Sequence, residues 1–223
     1  MKLLNKSLLF IVLSTLINVA VSAKADGLDN NELLDIQHKW AEVNYQLSDK
    51  AQLKGFEQLI AQVEISLKQQ PDNAENWVWL GIIQSSYAGA KGGLGALSFA
   101  KKAKKSLEKA LSINDTVLDG SAYTSLGTLY YKVPGWPIGF GDDDKAKELL
   151  ERALVLNPDG IDPNYFMSEY WFEERKYEKA KMFLERAQQA PTRENRPLAD
   201  KSRHYEITQL MAKIDRKLKK KHH

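Results

Sequence analysis

The sequence predicts an all-α solenoid, a stack of antiparallel helix pairs, on three observations. Apolar residues recur at helical spacing almost throughout. Small residues stand where two helices must approach, Gly81 and Ala110 in one stretch, Gly127 and Ala153 in the next. The pattern repeats, with 34 residues from Ala153 to Ala187. At 223 residues, 43% apolar and 27% charged, the chain is long enough for one buried domain or one solenoid of several repeats.

Residues 1–23 join Lys2 and Lys6 to an apolar run from Leu8 to Ala20 and a small-residue stop, Val21-Ser22-Ala23. This is the three-part form of a secretory signal peptide, with Ala23-Lys24-Ala25 as a second cut, and the run is too short to cross a bilayer comfortably. The expectation is an exported, periplasmic protein with no transmembrane anchor in the mature chain. There is no cysteine, hence neither a disulfide nor the diacyl anchor that needs a cysteine at the cleavage site. Formal charge is +3, and subtracting Lys2 and Lys6 leaves +1, so the basic footprint of a nucleic-acid binder is missing.

Residues 28–73 read as a helix pair. Ile36, Trp40, Val43 and Leu47 form one apolar stripe, and Leu53, Phe56, Ile60, Val63 and Leu67 a second, ended by Pro71. Residues 74–191 read as three further pairs. Trp77, Leu80 and Gly81 precede Ala103, Leu107 and Ala110; Tyr123, Leu126, Gly127 and Tyr130 precede Ala146, Leu150, Ala153 and Pro158; Trp171 precedes Tyr177, Ala180, Leu184 and Ala187. Residues 196–221 close the chain with a helix carrying Ile207, Leu210, Met211, Ile214 and Leu218 on one face and charge on the other, ending in a basic tail. A solenoid needs such a polar-backed cap.

The aromatic, Leu-Gly, Tyr order on one helix and Ala, large apolar, Ala, Pro on the next resemble the tetratricopeptide repeat (TPR). The middle copy matches nearly every position. The first has Gln84 for the Tyr and Asp115 for the Pro, and the third has Met167-Ser168 for Leu-Gly. Residues 36–71 look like a degenerate earlier copy. Gly81 to Ala110 spans 29 residues and Gly127 to Ala153 spans 26, roughly ten and seven more than the simple repeat requires. Both enlargements fall at the turn inside a repeat, so they should project as neighbours from one edge.

The run Tyr130-Tyr131-Lys132-Val133-Pro134-Gly135-Trp136-Pro137-Ile138-Gly139-Phe140-Gly141-Asp142, with Asn157-Pro158-Asp159-Gly160 and Arg196-Pro197-Leu198-Ala199-Asp200 downstream, is similar to a group of exported bacterial repeat proteins. More distantly, the Pro-Gly turn inside a helix pair resembles the T-component of tripartite (TRAP) periplasmic transporters. That resemblance implies association with a substrate-binding partner, although those proteins are typically lipid-anchored through a cysteine that this chain lacks.

Candidate binding residues gather at the second enlargement. Pro134 and its glycines hold a defined backbone that could present Trp136 and Phe140 to a ligand or fold both rings back as a plug between the helices, and one ring in with one out is the expected mixture. In the first enlargement, Gly89, Gly92, Gly93 and Gly95 read as a flexible loop at the solvent edge, or in a functional reading a mobile flap. TPR first helices line the concave face, and Trp79, Tyr131 and Tyr170, set off the packing positions, are expected to face a groove there. Asp142, Asp143 and Asp144 read as a helix N-terminal cap rather than a metal site. Lys101, Lys102, Lys104, Lys105 and Lys109 make a basic face that is solvated or meets an anionic envelope surface.

His38, His204, His222 and His223 share no ligand spacing, and no nucleophile elbow or Cys/His pair exists. No catalytic residue, metal or cofactor is therefore expected. The expected function is a non-catalytic periplasmic scaffold that holds a protein or peptide partner in its concave groove and paired enlargements. The alternative is a carrier or transport accessory with a small apolar ligand under the enlargements; a closed apolar cavity would favour the carrier and an open polar groove the scaffold. The mature chain is expected to begin at Lys24, or at Asp26 with the second cut. Mass analysis of the exported protein checks this, and an intact Met1 would refute it.

Overall fold

The computed structural model describes residues 30–221. The leader reading of residues 1–23 lies outside them. The described residues form helices α1 (Asn30–Gln46), α2 (Asp49–Gln69), α3 (Ala74–Lys91), α4 (Gly93–Ile113), α5 (Val117–Lys132), α6 (Asp143–Leu156), α7 (Ile161–Glu173), α8 (Tyr177–Gln188) and α9 (Pro197–Lys221). The fold is an all-α solenoid. No described helix is long and apolar enough to cross a membrane.

The small residues set the packing. A Cβ on Gly81 would sit 2.5 Å from Leu107 Cγ, and one on Gly127 would sit 2.9 Å from Leu150 Cγ and 3.1 Å from the Ala146 carbonyl oxygen. The α3/α4 and α5/α6 hairpins therefore close through the same Gly-to-Leu contact. In the α1/α2 pair the close approach moves to the second helix, where Gly55 meets Val43. Ser168 replaces glycine in α7, and its buried hydroxyl donates to the Ala180 carbonyl at 2.7 Å. Leu47 leaves its expected stripe: α1 stops at Gln46, and Leu47 is exposed in the turn.

The first enlargement is not a loop. α3 and α4 run through it as helix, broken at Gly92, whose φ of 61° and ψ of −177° place it in a conformation open to glycine. The flexible-flap expectation fails because Ala88, Ala90, Ala96 and Ala100 supply helix propensity on both sides of the break. The extra residues lengthen the hairpin. The second enlargement is irregular, and Leu97 of α4 lies beside it, 3.4 Å from where a Cβ on Gly139 would be.

First helices form an inner layer. α1, α3, α5 and α7 touch in sequence, and α9, beyond capping α8, reaches back to both α7 and α1. Five helices thus make a closed inner ring, with α2, α4, α6 and α8 outside it. Ile207, Leu210 and Ile214 of α9 pack on the α7/α8 core, while Ala199 and Leu198 pack into the N-terminal core around Trp40 and Trp79. The ring also closes through His38 Nε2, 2.6 Å from the Asn195 carbonyl oxygen.

Two glycines in adjoining hairpins should respond oppositely. Gly127→Leu overfills the Leu150 contact and is expected to lower stability by about 1–3 kcal/mol. Gly89→Ala meets nothing within 4 Å and sits in a helix, so it should raise stability by about 0.5–1 kcal/mol. Thermal denaturation of both variants checks this, and a destabilising Gly89→Ala would contradict the helical hairpin.

Candidate functional site: a cavity inside the helix ring

The inner ring lines a partly open cavity of about 1020 Å³, within the size range of small-ligand sites or slightly above it. Successive exposed faces of the first helices supply its wall: Trp40 on α1, Trp79, Ile82 and Ser86 on α3, Ser121, Ser125, Thr128 and Lys132 on α5, and Asp162 and Phe166 on α7. The 3–4-residue spacing along α3 and α5 is one helix face turned inward. Leu118 joins the wall through a left-handed turn, with φ of 48°, 51° and 78° at Leu118, Asp119 and Gly120. Two of these are non-glycine residues, which costs on the order of 1–3 kcal/mol each.

Along one side of the cavity runs an ion network built by the start of α9 and the segment before it. Asp162 accepts from Arg193 Nη1 at 2.7 Å and from Arg203 Nε at 2.9 Å; Arg193 also donates through Nε to Asp200 at 2.7 Å, and Arg203 to Glu206 at 2.6 Å. Burial alone would raise the Asp162 carboxyl, but the Arg203, Arg193 and Arg196 guanidiniums outweigh it and hold that group well below the usual carboxylate range. For Glu206 the balance falls the other way, and burial pushes its carboxyl up despite Arg203. Among the described lining residues, Arg196 is the one arginine with no carboxylate partner. Its guanidinium lies 5.2 Å from the centre of the Trp79 ring, and its Nε is a buried donor with no acceptor. Burial, aided by Arg193, lowers its pKa.

Over another part of the wall lies the Val133–Gly141 loop. Gly141 donates to the Pro134 carbonyl at 3.0 Å, Gly139 to Gly135 at 3.1 Å and Asp142 to Tyr130 at 3.0 Å, and the Trp136–Pro137 peptide bond is cis. Pro134 and Ile138 line the cavity. Trp136 is 90% exposed and Ile138 66% exposed, whereas Phe140 turns in and meets Tyr130 edge-on at 5.5 Å beneath Lys104. One ring is out and one is in. Asp142 caps α6 by accepting from the Lys145 N–H at 2.9 Å, and among the described residues no cluster could hold a metal ion.

The candidate residues therefore divide. Trp79 and Pro134 line the cavity, and Trp136 stands outside on the loop. Tyr131 and Tyr170 do not reach the cavity: their rings meet at 5.9 Å between α5 and α7, Tyr170 is buried, and the Tyr131 hydroxyl donates to Glu169 Oε2 at 2.8 Å. They are set off the hairpin contact but onto the contact between repeats. Sequence reasoning missed Arg196, Arg193, Arg203 and Asp162. The terminal helix was visible in the sequence, but not that α9 returns to α1.

Neither a protein family nor a curated protein matches the chain by sequence. Among solved structures it is similar to TTC0263, a thermophilic TPR protein of Thermus thermophilus, with a TM-score of 0.53 and 14% identity over 80% of this chain and 98% of that one. It also resembles MamA, TM-score 0.44 and 21% identity over 75% of this chain and 91% of that one, and Pseudomonas aeruginosa PilF, TM-score 0.34 and 16% identity over 79% and 90%. The fold is that of a tetratricopeptide-repeat protein.

Asp162 makes the ring acid-sensitive. A carboxyl whose pKa is lower folded than unfolded adds stability that is full above about pH 4 and disappears as pH falls through the folded value. Asp162→Asn leaves buried Arg203 with Glu206 alone and Arg193 with Asp200 alone, and is expected to cost about 1–3 kcal/mol at pH 7. The difference from wild type should shrink below pH 4, as denaturation at pH 7 and pH 3 will show.

Proposed function

We propose that the protein is a non-catalytic binding protein of the cell envelope, and that it grips a partner protein at the cavity mouth through the Val133–Gly141 loop. The observation that carries this reading is Trp136. A tryptophan that is 90% exposed on a backbone tied by three internal hydrogen bonds is an anchor already ordered before contact, so docking it costs little conformational entropy. Ile138 beside it extends the apolar lip toward the cavity. Exposed large rings with ordered backbones are the residues that most often dominate protein interfaces.

Export rests on the form of residues 1–23, and the scaffold role on the solenoid fold together with this lip. Closing the concave face into a cavity narrows what the interior accepts: a folded domain does not fit inside the ring, so the partner surface is placed on the loop and the mouth. The basic face of α4 is mostly solvated, with Lys104 paired to Glu108 at 2.5 Å, and takes no part in this reading.

Trp136→Ala is the test. With its ring in solvent, the variant should melt within about 0.5 kcal/mol of wild type. Its affinity for a partner captured from envelope extract by the wild-type protein should fall by about 30-fold or more, the scale of an aromatic hot spot. A partner bound equally by both forms would remove the loop from the interface.

A further inference from the structure

Two buried donors in the cavity wall have nothing to give their protons to. Trp79 Nε1 and Arg196 Nε both lack an acceptor, both residues line the cavity, and the guanidinium lies over the indole ring. The neighbouring Trp40, 5.8 Å from Trp79, is satisfied by Ser86 Oγ at 3.0 Å, so the deficit is local. A buried donor left unpaired costs about 1–3 kcal/mol. Two together, one of them cationic, define a place for an acceptor oxygen with negative charge. The nearby carboxylates do not fill it, since Asp162 and Asp200 are engaged by Arg193 and Arg203.

Away from this polar end the wall carries the apolar Ile82, Leu97, Leu118, Leu129 and Ile138, with the small hydroxyls of Ser121, Ser125 and Thr128 on its α5 side. On α3 alone the lining runs from Trp79 to Gly89, which at helical rise is about 15 Å. An occupant that satisfies the donors and also covers this stretch has one charged head and one apolar tail.

We propose that the cavity is a binding site for a single-tailed amphipathic carboxylate, its head held by Arg196 and the Trp79 indole N–H and its tail laid along α3 and the first turns of α4, past Leu97 toward Ile138. A carboxylate suits this end because a planar guanidinium is its usual partner and the indole N–H of the ring that the guanidinium covers is a second donor. The head site is distinct from the partner-binding tryptophan, because Trp136 does not line the cavity, and the two readings meet at Ile138, where the lip borders the tail end.

Titration of the purified, delipidated protein with laurate, dodecanol, dodecyl phosphate and acetate, by calorimetry and by tryptophan fluorescence, tests the assignment. Laurate is expected to bind one per chain, dodecanol about tenfold or more weaker for want of the charged hydrogen bonds, and acetate not measurably. Arg196→Met should bring laurate down to the dodecanol level and leave dodecanol unchanged. Trp79→Phe, which keeps a ring and removes the N–H, should weaken laurate several-fold; it decides the matter if Arg196→Met fails to fold. Trp136→Ala should bind laurate as wild type does, so loss of the partner reading leaves this one standing, and the reverse. No saturable laurate binding, equal affinity for laurate and dodecanol, tighter binding of dodecyl phosphate than of laurate, or laurate affinity indifferent to both wall variants would each overturn the proposal.

Discussion

Asp162, held between Arg193 and Arg203, is the contact on which the shape of the interior depends. It joins the first turn of α7 to α9 and to the segment before α9. Without that clasp α9 could still cap α8 through Ile207, Leu210 and Ile214 and meet α1 through Glu206 and Tyr45, but the arginine contacts to the first turn of α7 would be gone. With it, Leu198 and Ala199 reach the N-terminal core, the fifth inner helix is in place, and a concave face becomes a walled space. The buried ions are weak evidence of net stability, since desolvation offsets much of their attraction. Their effect is on which arrangement is adopted.

The hairpins and the ring follow different chemistry. Gly81 against Leu107 and Gly127 against Leu150 are contacts of volume, repeated because the same two helices must approach in each unit. The ring closure adds charge to apolar packing, the Asp162 clasp on α7 beside Leu198 and Ala199 on the N-terminal core, and it places Arg196 where carboxylate partners are already used. The cavity thus combines a wall supplied by the stacked first helices with a charged end supplied by residues 191–203.

Much of the fold was legible because it is local. Ala103, Leu107 and Ala110 opposite Gly81, repeated as Ala146, Leu150 and Ala153 opposite Gly127, state a register without reference to distant residues. Two features were misread for identifiable reasons. Four glycines between Gly89 and Gly95 suggested a loop, yet the helical backbone breaks only at Gly92 and Gly93, since alanines around the others supply helix propensity that scattered glycines reduce by about 1 kcal/mol each. Tyr131 and Tyr170 do stand off the hairpin contact, but a position off one contact in a stack can belong to the next one. The site itself was legible only at Trp79 and the Pro134–Phe140 loop. Asp162 and Arg203 are separated by 41 residues, and no periodicity connects an acid in one repeat with a base in the terminal helix.

A row of repeats that touch only their neighbours can come apart from either end, one unit at a time, because each loses only one interface. Here the first and last helices are bound to each other, with the His38–Asn195 contact spanning 157 residues. Closing a loop of that length costs about 4–5 kcal/mol of chain entropy, paid late in folding and returned all at once. Among the described residues the first and last helices are therefore held against each other: the contact between them ties separable units into one, and its formation is slowed by the distance that the two must travel to meet.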